Sequence, residues 1–392
     1  MRKILLIIFL INSLLKITNA QWVQVSNSMG DVWSLAYGGN NIFAGTFGGG
    51  VYLSTNNGTN WIQNSNLIHV PSLATNVNTV FAGTLGYGLY LSSNNGINWT
   101  QTSLNTQHVI SLAVTGNNIF AGTPDYGIYL SVNNGTNWNQ TSLNNRTVSS
   151  IVISGDNILA GTGGQGIYRS TDNGISWVQT SLNYLYIKAF TINGNNIFAG
   201  ASSKYGVVLS TNNGVSWSPT SLNMETVYAL ASYGNDIFAG TAGGGVFAST
   251  NNGSTWIQRN EGLGNITVSA LCIFNNYIFA GTGNNPYRRP LSELVGIQPL
   301  SNETPDDFSL SQNYPNPFNP NSKIKFQIAK LGFVMLTVFD IFGKEITMLV
   351  NEQLKSGTYE VDWNGVNYPS GIYFYKLSVE DFNQTKKMIL IK

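Results

Sequence analysis

Tryptophan recurs in this chain with a nearly fixed step. It stands at Trp22, Trp61, Trp99, Trp138, Trp177, Trp217 and Trp256, so successive gaps are 39, 38, 39, 39, 40 and 39 residues. A second marker, IFAGT or a near variant, begins at Ile42, Val80, Ile119, Ile158, Ile197, Ile237 and Ile278. A period of about 40 residues means that each unit is one supersecondary element burying its apolar face against its neighbours.

Within one unit, residues 109–140, the runs VISLAV, NIFAGT, GIYLS and NWNQ are separated by Gly and Asn. Each run is rich in β-branched or aromatic residues and reads as a short strand, and the Gly-Asn-Asn and Asn-Asn-Gly joints read as hairpin turns. One repeat is therefore one antiparallel four-stranded sheet, the blade of a β-propeller. The array begins with QWVQVSN, which is only a last strand, and its final unit stops after IFAGT and an altered third strand, NPYRRPL. The strand missing at one end is the surplus strand at the other, so the Trp22 strand is expected to complete a seventh blade and lock the ring.

Six copies of a box, SxNxGxxW or SxDxGxxW, lie at the turn between third and fourth strands. They comprise Ser54, Gly58 and Trp61; Ser92 and Trp99; Ser131 and Trp138; Ser170, Asp172 and Trp177; Ser210 and Trp217; and Ser249 and Trp256. An Asn or Asp side chain accepts backbone hydrogen bonds in a turn, and glycine supplies the positive φ that the hairpin needs. Tryptophan at the start of the outer strand has the bulk to fill the gap between blades. The boxes resemble the Asp-box, or BNR repeat, of sialidase-like, sortilin-like and photosystem II assembly factor-like propellers, with Asp172 the copy that keeps the aspartate. The resemblance implies a structural hairpin lying away from any active site.

The rest of the composition narrows the function. Hydrophobic residues make up 42% of the chain and charged residues 9%, with a formal net charge of +1. That charge fraction is far below the roughly 25% of an ordinary soluble domain. Lys and Arg are scattered without a basic patch, which sets nucleic acid aside as a partner. Cys272 falls where other repeats have Ala36, Ala74, Ala113 and Ala231, so it reads as a small core residue, and a lone cysteine excludes an intrachain disulfide. The first twenty residues have Arg2 and Lys3, an apolar run from Ile4 to Leu15, and small residues Thr18 and Ala20, the pattern of a secretory signal peptide cut after Ala20. No later apolar run is long enough to span a bilayer, so no membrane span is expected in the mature chain.

A sialidase-like site would need an arginine cluster, but between Gln21 and Gly283 the arginines are only Arg146, Arg169 and Arg259, at unrelated repeat positions. A glycosidase would need two facing carboxyl groups. Asp156 and Asp236 replace Asn in hairpins and Asp172 sits in a box, leaving Asp31, Asp125, Glu225 and Glu261 in loops of different blades. A glycoside hydrolase of the Asp-box propeller type is thus the alternative reading. No cofactor or metal motif is present: His69 and His108 occupy equivalent loop positions without Cys or carboxylate at ligand spacing.

In a propeller the loop that enters the inner strand and the loop joining second and third strands share one face, opposite the box hairpins. Asp31, His69, His108, Arg146, Tyr186 and Glu225 fall in the first set; Tyr87, Asp125, Tyr126, Gln165, Lys204 and Tyr205 fall in the second. Divergent loops on a near-constant scaffold are the expected appearance of a binding surface. Aromatic, amide and hydroxyl groups with little charge suit a polysaccharide or a surface protein as ligand.

After residue 300 the period stops. The runs IKFQIA, FVMLTVFD, TYEVDW, GIYFYKLSVED and KKMILIK alternate with Gly, Pro and Asn turns, as in a small antiparallel β-sandwich. YPNPFNPNSKIKF at residues 314–326, VFDIFGKEI at 338–346, SGTYEVDWNG, YPSGIYFYKL and the terminal KKMILIK resemble the type A C-terminal sorting domain of the type IX secretion system. That resemblance implies Sec export, passage across the outer membrane of a Bacteroidota-type bacterium by the type IX machinery, and release or attachment at the surface. The expected architecture is all-β: a signal peptide over residues 1–20, a seven-bladed β-propeller over 21–290, a linker over 291–305 and an immunoglobulin-like sorting sandwich over 306–392.

Overall fold

The computed structural model describes residues 21–392 apart from 27–28, 203–204, 284, 295–297, 302–304, 355 and 366–367, so the expected signal peptide and Lys204 lie outside the described residues. Among the described residues the strands form nine four-stranded sheets, seven of them on one plan. The first blade consists of Val32–Gly38, Asn41–Thr46, Val51–Ser54 and Ile62–Gln63, each strand antiparallel to the next. The inner strands follow one another around a closed ring, the seventh, Val268–Phe274, lying against the first, Val32–Gly38. The chain is a seven-bladed β-propeller followed by a β-sandwich.

Closure comes from the ends of the array. Val23–Gln24 pairs antiparallel with Pro286–Pro290 as the outer strand of the seventh blade. Trp22 beside it is 2% exposed, its backbone N–H donates to the Glu261 carbonyl at 2.7 Å, and its indole N–H donates to the Arg259 carbonyl at 2.6 Å. Arg289 occupies the register position of the buried box serines, since it pairs with Ile278 as Ser54 pairs with Ile42. Arg289 is 2% exposed, and its guanidinium binds Glu261 at 2.7 Å and Glu293 at 3.3 Å.

The glycine of IFAGT is the socket between blades. A Cβ added at Gly45 would lie 2.7 Å from the Val70 carbonyl oxygen and 2.8 Å from its Cγ1, and the same conflict meets Val109 at Gly83, Val148 at Gly122 and Val268 at Gly240. Each glycine thus admits the inner-strand Val or Ile of the next blade, which is fully buried. Residue choice on the second strand and blade-to-blade packing are one constraint.

The stretch 291–305, expected as a linker, carries the 3-10 turn Leu291–Glu293 and the strand Gln298–Ser301, which pairs antiparallel with Gly357–Asn364. It covers what would otherwise be an open edge of the sandwich. The other strands of that sheet are Asn321–Ile328 and Ser309–Leu310, and the facing sheet runs Glu345–Leu354, Gly332–Phe339, Gly371–Val379 and Phe382–Leu390. Both contribute to one core that includes Ile324, Phe326, Leu336, Val361, Trp363, Tyr375 and Met388.

Candidate functional site

The boxes are hairpin clasps. Ser54 Oγ donates to Asn56 Oδ1 at 3.0 Å and accepts from the Gly58 N–H at 2.9 Å, while Asn56 Oδ1 also accepts from the Asn60 N–H at 2.9 Å. The Ser-to-Gly and Asn-to-backbone bonds recur at the other five boxes. Asn57 and Gly58 have φ of 54° and 71°, so two successive left-handed residues make the turn. The Gly58 α-carbon rests on Phe279 of the preceding blade, where a Cβ would come within 2.3 Å of the ring. Trp61, Trp138, Trp177 and Trp217 donate their indole N–H to the box glycine carbonyl at 3.1 Å, whereas those of Trp99 and Trp256 find no partner. The serine hydroxyl, the Asn or Asp side-chain oxygen and the glycine N–H of each box are thus engaged within the hairpin.

On the opposite face the two loop sets are stitched together. Phe47 N–H donates to the Asp31 carbonyl at 3.0 Å, Leu85 to His69 at 3.1 Å, Gly127 to Arg146 at 3.0 Å and Ser202 to Tyr186 at 3.0 Å. In the second to fourth blades a glutamine of the outer strand clamps the loop tip: Gln101, Gln140 and Gln179 donate to the carbonyls of Tyr87, Tyr126 and Gln165 at 2.9, 2.7 and 2.9 Å. Tyr87, Asp125, Tyr126, Gln165 and His108 project as exposed side chains, with His108, Asp125 and Tyr126 on the third blade and Tyr87 and Gln165 on its two neighbours. Tyr205 packs edge-on to Tyr184 at 5.9 Å between ring centres. Glu225 is half-buried against Gly244. Glu261, weighed as a catalytic acid, is committed to Arg289.

A third set of residues was hidden in the repeat. In five blades the inner strand opens with a one-residue β-bulge: the register passes from Val32 to Ser34, Val148 to Ser150, Ile187 to Ala189, Val227 to Ala229 and Val268 to Ala270. The skipped residues are Trp33, Ser149, Lys188, Tyr228 and Ser269. With Pro71 and Ile110 at the same repeat position, they line one cavity of about 350 Å³ at the axis of the ring. A bulge re-aims the unpaired side chain, and in these five blades it turns one residue each into the channel mouth. Pro71 suits such a position because it has no N–H to leave unpaired. The sequence signal is plain once the repeats are superposed: a constant Val or Ile is followed by Trp, Pro, Ile, Ser, Lys, Tyr and Ser.

Two groupings form at this mouth. Trp33, Phe47 and His69 cluster with ring centres 4.7 Å apart for Trp33 and Phe47 and 4.2 Å apart for Phe47 and His69. Across the ring, the Lys188 ammonium lies over the faces of Tyr186 and Tyr228 at 4.4 and 4.9 Å. Burial holds its pKa below the usual lysine value. Below the mouth the channel is lined by Leu35, Leu73, Leu112, Ile151 and Phe190 together with Ser34, Ser72 and Ser111. Among the described residues no cluster of three or more His, Cys, Asp and Glu gathers to hold a metal ion.

Residues 312–392 match the family model of the secretion system C-terminal sorting domain. Such a tail directs export to the cell surface or the medium, and no described helix is long and apolar enough to cross a membrane. No curated protein matches the chain in sequence. Among solved structures it is similar to PorZ, a surface component of the type IX secretion system of Porphyromonas gingivalis, with 16% identity and a TM-score of 0.55, covering 93% of this chain and 60% of that one. YCF48 from Cyanidioschyzon merolae is similar at 14% identity and a TM-score of 0.57, covering 69% of this chain and 98% of that one. The GH74 xyloglucanase from Xanthomonas campestris is similar at 14% identity and a TM-score of 0.58, covering 79% of this chain and 59% of that one. This chain spans less than two thirds of the length of PorZ and of the xyloglucanase, and at these identities the likeness is one of fold.

Proposed function

We propose that the exported propeller binds polysaccharide through the face opposite the box hairpins. The observation that carries this reading is the contrast at the start of the inner strands: a buried, constant Val or Ile stands beside a channel-facing residue that differs in nearly every blade. A scaffold that needed only to close would tolerate one small residue seven times. Instead the mouth and the loops around it present Trp33, Phe47, His69, Tyr87, Tyr126, Tyr186, Tyr205 and Tyr228, whose flat apolar faces match the C–H faces of pyranose rings. Asp31, His108, Asp125, Gln165 and Glu225 supply hydrogen-bonding groups on the same rim. Hydrolysis draws less support, since Glu261 is held by Arg289 and the remaining loop acids belong to separate blades.

The test is retention of the purified protein on a panel of immobilised polysaccharides, beside the Trp33→Ala variant and the double variant Tyr126→Ala/Tyr205→Ala. Binding is expected for the parent and should fall at least tenfold in Trp33→Ala. Absence of binding to every polysaccharide, or equal binding by parent and both variants, overturns the reading.

A further inference from the structure

The channel mouth holds a cation with no counter-ion. Ion pairs among the described residues engage Arg289, Lys323 and Lys330. Lys188 has no carboxylate partner among the described residues, and its ammonium lies over the faces of Tyr186 and Tyr228. A ring quadrupole holds an ammonium in place but leaves its three donors unused. Half-buried in an aromatic slot, such a group gains most from an anion that arrives with acceptor oxygens.

We propose that the mouth recognises the carboxylate of a uronic acid in a polysaccharide chain, with Lys188 taking the carboxylate and the Trp33, Phe47 and His69 cluster taking a sugar ring. This deepens the polysaccharide reading above and rests on it. Three observations choose the ligand. The cation is a single ammonium flanked by aromatic rings, so its one charge matches that of a carboxylate, whereas a phosphate monoester brings about −1.5 to −2. The aromatic cluster lies on the first two blades, across the ring from the fifth, so one ligand can touch both sides of a cavity of about 350 Å³. That volume is at the small end for ligand sites, about 300–1,000 Å³. Finally, Lys188 is the one charged side chain lining either this cavity or the one beneath it, which matches a ligand with a single anionic group.

Burial, which lowers the Lys188 pKa, also strengthens its attraction for an anion, because water no longer screens the pair. His69 stands on the opposite wall and Asp31 and Glu225 on the surrounding rim, so the mouth carries charges of both signs and Lys188 supplies the localised positive one.

Calorimetric titration with galacturonate, glucuronate and mannuronate trisaccharides, each beside its neutral methyl ester, tests this on the full protein. At least one free acid is expected to bind tenfold or more tighter than its ester, with the gap shrinking as salt is raised. Lys188→Met keeps the aliphatic stem and removes the charge, so it should erase the gap while leaving the ester's affinity and the thermal melt unchanged. An acid bound no better than its ester, or a gap that survives Lys188→Met, overturns the role of Lys188 and leaves polysaccharide binding standing. If none of these acids or esters binds while the polysaccharide panel still retains the protein, the uronate assignment falls and polysaccharide binding stands. Lys188-dependent binding of a peptide through its terminal carboxylate, without uronate binding, overturns the sugar assignment.

Discussion

A methyl group placed on the α-carbon of Gly281 would lie 2.7 Å from Cγ1 of Val32, the residue that opens the first inner strand. This is the contact at which the last blade meets the first, and it repeats the glycine socket found between other neighbouring blades. The ring therefore closes with the same packing unit from which it is built.

Replacing Gly281 by Ala should wedge that seam. Overpacking of a tight site costs about 1–3 kcal/mol, and the loss should appear as a lower chemical denaturation midpoint with unchanged strand content. A variant as stable as the parent would show that the seam yields freely.

The outer strand that completes the seventh blade is anchored by Trp22. Trp22→Ala removes a buried indole and its hydrogen bond to the Arg259 carbonyl. Such truncations cost about 3–5 kcal/mol. Hydrogen exchange should rise first in Pro286–Pro290, its partner strand; uniform exchange across all blades would argue against a local latch.

Asp172 is the one box that carries a charge. The Ser176 hydroxyl, the Ser176 N–H and the Ser170 hydroxyl all donate to its carboxylate and lower its pKa to about 2. In the unfolded chain an aspartate titrates near 3.9, so the folded state favours the ionised form. The contribution to stability is present above about pH 4 and is lost as the pH falls through about 2. Ser176→Ala should move the pKa, read by carbon NMR of the carboxyl, back toward the ordinary value.

Asp236 behaves in the opposite sense. Burial pushes its carboxyl up to about 7, and the like charge of Asp362 in the terminal sandwich adds to the shift. Folded protein then holds this proton over a range where the unfolded chain has released it, so stability falls as the pH rises from about 4 through 7. Asp236→Asn should flatten that slope and raise the melting temperature above pH 7. A melt that is lower than the parent's at pH 8 would contradict this account.

The sorting tail predicts a change of compartment. Deleting residues 306–392 should leave the propeller in the periplasm, measured by fractionation and by protease shaving of intact cells. Surface exposure of the truncated chain would show that the propeller carries its own route.

Much of this was legible in the chain itself. The spacing of Trp and IFAGT set the blade plan, the surplus QWVQVSN strand and the unfinished last unit pointed to closure at seven, and SxNxGxxW identified its hairpin. All of these rest on contacts within one repeat or between adjacent repeats, which a periodic sequence reports directly. The tail motif was equally readable, because its residues serve one small domain in order along the chain. What the sequence left open was the site. Asp31, His69, Tyr186 and Glu225 were located by loop position, whereas Trp33, Lys188 and Tyr228 looked like ordinary strand residues until the bulge turned them inward. Glu261 looked like a free acid until Arg289 reached it. These relationships join residues from different blades, and their partners are set by ring closure and by one skipped pairing in the ladder. Superposed repeats show that the residue after the constant Val or Ile varies, but a bulge leaves little mark in a hydrophobic pattern, so it was the tertiary structure that decided that these side chains meet at the axis.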